Sequence, residues 1–316
     1  MRTWFRWSPP YRAVRGGLVI DLQSALARAG HLASVDGVFA GQTQLALKAW
    51  QAARRQPVTG EVDELALAGL TGVARPPLFR RCLAMTAAFE GHGYTLAVGN
   101  FDGAYLTWGI IGFTLKGGNL GEVISRLAVR QPALLAETIG PDKAEELLRI
   151  VRSPSAARKA WADRLSMGAK KYNLRPDWRD AFEALGNRRE VREVQDEVAH
   201  DVYWVRAVRD LRRYGQPTEI DAALFYDTAV QNGGVDAAKA AAIAAAQASL
   251  PAGAGARHRL AAVAEAIAAG SSATYRNDVR DRRMTLAQGV GEVHGAAYQV
   301  ADWGLDDQPI ADTDLL

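Results

Sequence analysis

The stretch DGAYLTWGIIGF, residues 102–113, differs from the rest of this chain because glycines interrupt its apolar and aromatic residues. It lies within residues 91–121, which contain nine glycines. Two apolar segments, Tyr94–Val98 and Tyr105–Phe113, fall between these glycines. Glycine readily adopts the positive φ that tight hairpin turns need. The pattern therefore predicts short strands joined by tight turns.

Helical periodicity dominates the chain on both sides of this stretch. Residues 80–90 lead into it with an apolar helical pattern, and apolar side chains recur every three or four positions after residue 120. The Ala-rich C-terminal stretches are predicted helices as well, since alanine has the highest helix propensity. The sequence thus predicts a mainly α domain with a short β-sheet. We expect its helices at residues 121–130, 141–151, 155–171, 176–185, 190–214, 219–231, 237–249 and 256–269.

A separate helical unit is predicted near the N-terminus. Apolar residues recur at helical spacing over Leu18–Ala29 and Thr43–Ala52, and a third short helix is predicted at 61–70. Three short helices of this kind can enclose a small core of their own. We therefore predict an N-terminal domain over residues 16–72.

The two predicted domains are separated by a short linker. Residues 73–77 end in two prolines, which cannot continue a helix. The larger domain is accordingly predicted over residues 78–316, and the chain length of 316 residues accommodates two domains.

The N-terminal unit resembles the three-helix peptidoglycan-binding module of many cell-wall hydrolases. The resemblance rests on VIDLQ at 19–23, DGVFAGQT at 36–43, ALKAWQ at 46–51 and TGEVD at 59–63. By this resemblance Asp36 forms the turn, while Phe39 and Trp50 build the small core. Ala40 departs from the glycine that is usual in the family.

Two carboxylic residues, Glu90 and Asp102, flank the glycine-rich region. Glu90 follows Ala87, Ala88 and Phe89, so partial burial is expected to raise its pKa and keep it protonated. Asp102 falls in a turn, where backbone donors and water are expected to keep it ionised. Hydrolysis of a glycosidic bond requires such a pair, one acid to protonate the leaving oxygen and one base to activate water.

The surrounding residues resemble the family 46 glycoside hydrolases, the chitosanases, which belong to the lysozyme-like superfamily. The resemblance is densest over residues 87–121, where TWGIIGF follows Asp102, and it returns at ALFYD, residues 223–227. It implies an α+β lysozyme-like, two-lobed catalytic domain with the sheet beside its cleft. It also implies that Glu90 is the general acid, Asp102 the general base and Thr107 the residue that orients water. The mechanism would be inverting, with the carboxyl groups roughly 6.5–9.5 Å apart, and would need no metal or cofactor.

The same resemblance supplies candidate substrate-binding residues: Asn119, Tyr94, Trp108, Ile111 and Asp227. Asn119 stands where chitosanases carry an acidic residue that pairs with a glucosamine ammonium group. A neutral carboxamide suits an N-acetyl group instead, because it both donates and accepts hydrogen bonds. With a peptidoglycan-binding module ahead of it, the domain is predicted to cleave β-1,4 linkages of peptidoglycan, as a muramidase does.

Two alternatives stay open at this point. One is a true chitosanase that hydrolyses chitosan and keeps the module as a wall tether. The other is a non-catalytic wall-binding protein whose site has decayed. A zinc amidase is disfavoured because the five histidines show no His-Glu-x-x-His pattern, and His92 is interpreted as lining the cleft.

Charge and composition restrict the partners and the compartment. The net charge is +3, and residues 1–77 carry nine Lys and Arg against five Asp and Glu. This excess favours polyanions, including nucleic acid and anionic wall polymers, or serves solubility. Arginines near residue 210 alternate with acids, which is typical of a solvated helix face, so we expect no nucleic-acid partner. The single cysteine, Cys82, is predicted to lie in the core.

No secretion signal or membrane span is predicted, because no apolar run of the required length occurs. We therefore expect the protein to be synthesised in the cytoplasm, although its predicted substrate lies in the periplasm or cell wall. We also expect it to be a monomer. A phage-type endolysin or an effector delivered by a secretion system fits these requirements. An effector of this kind would meet delivery machinery and an immunity protein as partners.

Overall fold

The computed structural model describes residues 2–32, 34–91 and 93–315. Over these residues the chain forms fifteen α-helices and nine strands of two to four residues each. The predicted mainly helical fold with small sheets is confirmed. The chain divides into two compact units, the first comprising Met1–Phe89 with Val202–Leu316 and the second Glu90–Asp201.

The N-terminal part of the first unit contains the three predicted helices. They span Gly17–Arg28, Gly41–Ala53 and Glu64–Thr71. Two short strands that the sequence did not predict, Thr3–Phe5 and Val62–Asp63, pair antiparallel. The third helix starts at Asp63, whose carboxylate accepts a hydrogen bond from the Ala66 backbone N–H at 2.8 Å.

Two buried glutamines stabilise the turns of this region in the same way. The Gln23 carboxamide accepts a hydrogen bond from the Gly37 N–H at 2.7 Å and donates to the Val38 carbonyl at 3.1 Å. Gln51 accepts from the Gly60 N–H at 2.9 Å and donates to the carbonyl of the next residue at 3.1 Å. Each glutamine therefore satisfies the backbone of a turn that would otherwise bury unpaired polar groups.

The rest of the first unit is a helical bundle with one hairpin. The N-terminal half of its first helix contributes Cys82, which is fully buried as predicted, and burial raises the pKa of its thiol. A hairpin of Val290–Val293 and Ala296–Gln299 follows the last long helix. The helices span Leu78–Glu90, Val205–Tyr214, Glu219–Asn232, Ala237–Ala248, Ala256–Ala269 and Arg276–Gln288.

The residues that precede the predicted N-terminal domain pack into this bundle. Glu219 is fully buried and forms ion pairs with Arg2 and with Arg81, the latter at 2.8 Å. Trp4 is buried as well and donates a hydrogen bond to the Ala74 carbonyl at 3.0 Å. The two compact units divide near residues 89 and 201, and the domain boundary that the sequence places at the linker 73–77 stays a prediction.

The charge of Glu219 is maintained by its partners. Burial alone would raise the pKa of this carboxyl, but hydrogen bonds from Arg81 and Arg2 outweigh burial and hold the pKa below its usual value. Arg81 is itself fully buried, so each charge of the pair depends on the other.

The second unit contains the predicted strands, which are shorter than expected. Ala97–Val98, Thr107–Trp108 and Phe113–Thr114 form an antiparallel sheet in that order. A second small hairpin pairs Ser166–Met167 with Asn173–Leu174, where the sequence predicted the end of a helix. The helices of this unit span Asn119–Arg130, Leu134–Ile139, Pro141–Val151, Ser155–Leu165, Pro176–Asn187 and Arg189–Ala199.

The long helix predicted over residues 190–214 is interrupted. A π-helical segment, His200–Trp204, separates Arg189–Ala199 from Val205–Tyr214. Periodicity could not reveal the interruption, since a π-helical turn adds only one residue to a helical repeat. Within the described residues, none of the helices combines the length and apolarity needed to cross a bilayer.

Replacing Glu219 by glutamine should destabilise the protein. The substitution leaves Arg81 as a buried charge without its counter-charge, which costs about 3–5 kcal/mol. Chemical denaturation at neutral pH measures this loss. Glu265→Gln is the matched control, because its pair with Arg280 is about half exposed and is expected to contribute less than about 1 kcal/mol.

The loss of stability caused by Glu219→Gln should also depend on pH. Because the pKa of Glu219 is lower in the folded state than in the unfolded state, its carboxylate stabilises the fold fully at pH values above the unfolded pKa of about 4.3. This contribution decreases as the pH falls through the folded-state pKa. The difference between wild type and Glu219→Gln should therefore shrink in acid. A difference that stays constant down to strong acid, or no difference at neutral pH, would contradict the assignment.

Candidate functional site

Glu90 occupies the C-terminal end of the helix Leu78–Glu90. Phe89 before it is buried, whereas Glu90 is partly exposed. Gly91 follows with φ of +68°, a conformation that ends the helix and that glycine adopts without strain. The predicted general acid, Glu90, thus lies at the end of a buried helix, where the chain reaches solvent. Glu90 also interacts with other groups of the protein.

Asp102 lies in the loop that leads to the second strand of the sheet. Its side chain is exposed, and Oδ1 accepts a hydrogen bond from the Ala104 backbone N–H at 2.9 Å. The sequence predicted a turn with a backbone donor at this position, and the structure contains both. The carboxylate therefore meets solvent water and has a fixed orientation, which a general base requires.

Asn100 anchors the loop that carries Asp102. Its Oδ1 accepts a hydrogen bond from the Tyr105 backbone N–H at 2.9 Å, which closes the loop on itself. Its Nδ2 donates to Asp163 at 2.9 Å, and its backbone N–H donates to the Ser166 hydroxyl at 2.9 Å. Because Tyr105 has a positive φ of 74°, the loop adopts a strained conformation that these hydrogen bonds maintain.

Asp163 is the charged centre of this anchor. Hydrogen bonds from Lys159, Lys171 and Asn100 hold the pKa of its carboxyl far below the usual range. It is therefore ionised at any pH at which the protein would act. Sequence analysis missed both Asn100 and Asp163, because their sequence separation gives no local signal of contact.

Thr107 begins the central strand of the three-stranded sheet. It is largely buried, and it pairs with Val98 on one side and with Thr114 on the other. Glu90, Asp102 and Thr107 all belong to the second unit. The three residues of the predicted catalytic set therefore share one compact part of the chain, although their roles stay predictions.

Asn119 is the first residue of the helix Asn119–Arg130 and is partly exposed. Gly118 precedes it as the N-cap, with a left-handed φ of 89°. Its position at a helix start, close in sequence to the third strand, is compatible with the substrate contact that the sequence predicted.

The structure places the other predicted substrate-binding residues in the core. Trp108 is fully buried and packs against Phe182, with ring centroids 5.2 Å apart. Ile111 is buried, and Tyr94 is buried with its hydroxyl donating to Asp196 at 2.8 Å. These side chains support the sheet, so their predicted direct contact with a sugar is not supported.

Asp227 is also a structural residue. It lies in the first unit, is fully buried, and forms ion pairs with Arg282 and Arg283. Arg283 donates a further hydrogen bond to the Thr228 hydroxyl at 2.8 Å. Two guanidinium groups saturate this carboxylate, so the predicted substrate contact is replaced by a role in holding helices together.

A buried glutamine that sequence analysis missed fixes the turn of the sheet. Gln195 accepts a hydrogen bond from the Ile110 backbone N–H at 2.9 Å and donates to the Tyr94 carbonyl at 3.2 Å. The turn passes close to it, since a Cβ on Gly109 would lie 2.4 Å from Gln195 Oε1. A glycine is therefore required at position 109, within the stretch 102–113, by this contact.

His92, predicted to line the cleft, lies outside the described residues. Among the residues that are described, no group of three or more His, Cys, Asp or Glu side chains is placed to hold a metal ion.

The N-terminal module has a polar cavity of its own, with a volume of about 430 Å³. Asp36 lines it and accepts hydrogen bonds from Gln23 at 2.7 Å and from the Val38 N–H at 2.8 Å. Phe39 and Trp50 are buried and form the module's core, as predicted.

Comparison with known proteins supports the N-terminal assignment. Residues 15–70 match the family model described as "Putative peptidoglycan binding domain", which confirms the resemblance found in the sequence. The match covers the three helices and both glutamine-bound turns described above. No curated protein matches the chain.

The solved structures that resemble the chain include three chitosanases. A mutant chitosanase from Bacillus subtilis MY002, complexed with 6 GlcN, is 21% identical, with a TM-score of 0.46 over 67% of this chain and 86% of that one. The native enzyme of that strain is 21% identical, with a TM-score of 0.47 over 68% and 87%. A GH46 chitosanase from Gynuella sunshinyii, complexed with chitotetraose, is 19% identical, with a TM-score of 0.45 over 71% and 98%.

Proposed function

We propose that the protein is a glycoside hydrolase that cleaves β-1,4 linkages of peptidoglycan glycan strands. The observation that carries this proposal is the Asp102 loop. It presents an exposed, oriented carboxylate in the same unit as Glu90 and Thr107. Two carboxyl groups in contrasting surroundings suit an acid and a base in hydrolysis.

The proposed reaction uses only these side chains and water. Glu90 donates its proton to the glycosidic oxygen as the bond to the anomeric carbon breaks. Asp102 accepts a proton from a water molecule, whose oxygen attacks that carbon from the opposite face. Thr107 orients this water through its hydroxyl. The product has an inverted anomeric configuration, and Glu90 and Asp102 then exchange protons with solvent to restore the starting state.

The charge around Asp102 favours an anionic or neutral substrate over a cationic one. Residues 99–118 include the Asp102 loop and two strands of the sheet, and residues 155–177 include the helix Ser155–Leu165 and the adjacent hairpin; together they contain seven Lys and Arg but three Asp. A basic surface repels the ammonium groups of chitosan and attracts the carboxylates of peptidoglycan. The carboxamide of Asn119 adds no negative charge for an ammonium group to pair with.

The N-terminal module supports the same choice. Its match to a peptidoglycan-binding family suggests that residues 15–70 hold the enzyme on the wall polymer. Tethering raises the effective concentration of glycan strands near the second unit without new contacts at the site.

The substrate can be tested with two purified polymers. The full chain is incubated with peptidoglycan sacculi and, separately, with chitosan, and new reducing ends are measured. We expect release from sacculi and little or none from chitosan, because the local positive charge opposes a polycation. Release from chitosan alone would establish the chitosanase alternative instead.

The catalytic pair can be tested by two isosteric substitutions. Glu90→Gln and Asp102→Asn should each reduce the rate of reducing-end release by at least about a hundredfold, since each removes a proton-transfer group. Both variants should still sediment with sacculi. Glu137→Gln, which replaces an exposed carboxylate of the same unit, is the control and should keep full activity. Normal turnover by either test variant would remove that residue from its role.

A further inference from the structure

An exposed aromatic pair stands beside Asp102. Phe101 and Tyr172 are 48% and 47% exposed, and their ring centroids are 5.1 Å apart at an interplanar angle of 56°. Phe101 is the immediate neighbour of Asp102 in the loop. Large aromatic side chains are ordinarily buried, so a pair that leaves half its surface in water is available to a ligand.

The pair is held rigidly from both sides. The Gly99 backbone N–H donates to the Tyr172 carbonyl at 2.7 Å, which joins the loop to the hairpin turn. Asp163 binds both segments, through Asn100 at 2.9 Å and through Lys171 at 2.8 Å. A Cβ on Gly99 would lie 2.4 Å from the Lys171 carbonyl oxygen, so the two segments are in close backbone contact.

Rigidity of this kind lowers the entropic cost of binding. The backbone segments that carry the two rings are joined before any ligand arrives, and each Tyr or Phe side chain has only two torsions to restrict. The face of an aromatic ring carries negative charge density and attracts positively polarised hydrogen atoms. The C–H groups on one face of a pyranose ring present such hydrogens, whereas its hydroxyl groups point outward into solvent.

We propose that Phe101 and Tyr172 form a stacking site for one sugar ring of the glycan strand that Asp102 acts on. This inference rests on the proposed function and adds a sugar-binding subsite to it. Lys170 and Lys171 directly precede Tyr172, and Lys171 is ion-paired with Asp163, so Lys170 is the lysine here that fits a glycan carrying carboxylates. Neither aromatic residue was identified by sequence analysis, because contact between residues 71 positions apart leaves no local signal. The hairpin beside Tyr172 was also not predicted, since a helix was expected up to residue 171.

Kinetics on soluble, peptide-free glycan strands test the site. Phe101→Ala and Tyr172→Ala should each raise KM about five- to tenfold, the loss typical of truncating an aromatic anchor, with little change in kcat. Tyr172→Phe keeps the ring and should raise KM less than Tyr172→Ala does. Tyr275→Ala removes another exposed tyrosine, 64% exposed in the first unit, and should leave KM unchanged.

A fluorescence experiment separates binding from catalysis. In a Glu90→Gln background, Phe101→Trp places an indole at the site, and its emission is compared with that of Glu90→Gln alone as glycan strands are added. We expect a saturable change that appears only with the new tryptophan and is weakened by Tyr172→Ala. Thermal unfolding of every variant checks that the loop still folds.

The outcomes distinguish the subsite from the proposed function. A saturable emission change without hydrolysis by the wild type would support the stacking site and refute the hydrolase. Hydrolysis by the wild type with unchanged KM in both alanine variants and no emission change would overturn the stacking site. No emission change in a protein that also fails to hydrolyse any glycan would overturn both.

Discussion

The ion and hydrogen-bond cluster around Asp163 holds the Asp102 loop of the candidate site against the adjacent hairpin. This one carboxylate binds Asn100 from the Asp102 loop and Lys171 from the adjacent hairpin, at 2.9 and 2.8 Å. Hydrogen bonds hold its pKa far below the usual range, so the anchor stays charged. A loop with a strained residue, Tyr105, can keep one conformation only while such an anchor holds it. The orientation of Asp102 therefore depends on a residue that takes no part in the proposed chemistry.

In the first unit, too, charged side chains join segments that are distant in sequence. Glu219 and Asp227 are fully buried carboxylates; Glu219 pairs with three arginines and Asp227 with two. Such clusters are costly to break, because removing one partner leaves the other as a buried charge. In this chain they join segments far apart in sequence, including Arg2 with the helix that begins at Glu219. These ion pairs therefore connect the N-terminus and the C-terminal helices of the first unit.

Local features of the site could be predicted from the sequence, and distant partners could not. The turn at Asp102 is set by its own neighbours, since its carboxylate bonds a backbone N–H two residues away. The module's turn at Asp36 is equally local. Trp108 was misjudged, because a motif shows that a tryptophan is near the site but not which side of a strand it faces. The hairpin that carries Tyr172 was missed for another reason: a helix was predicted up to residue 171, whereas the helix ends at Leu165 and the chain then forms the hairpin.

The central claim is that Glu90 and Asp102 act on opposite faces of a glycosidic bond, with water as the nucleophile. The anomeric configuration of the first products tests it most directly. Proton NMR spectra of a soluble peptidoglycan glycan strand, recorded with the wild-type protein before the anomers equilibrate, should show new reducing ends in the α configuration, because inversion converts a β linkage into an α product. New reducing ends that appear first in the β configuration would contradict the account, since retention requires a covalent or substrate-assisted route in place of a water activated by Asp102.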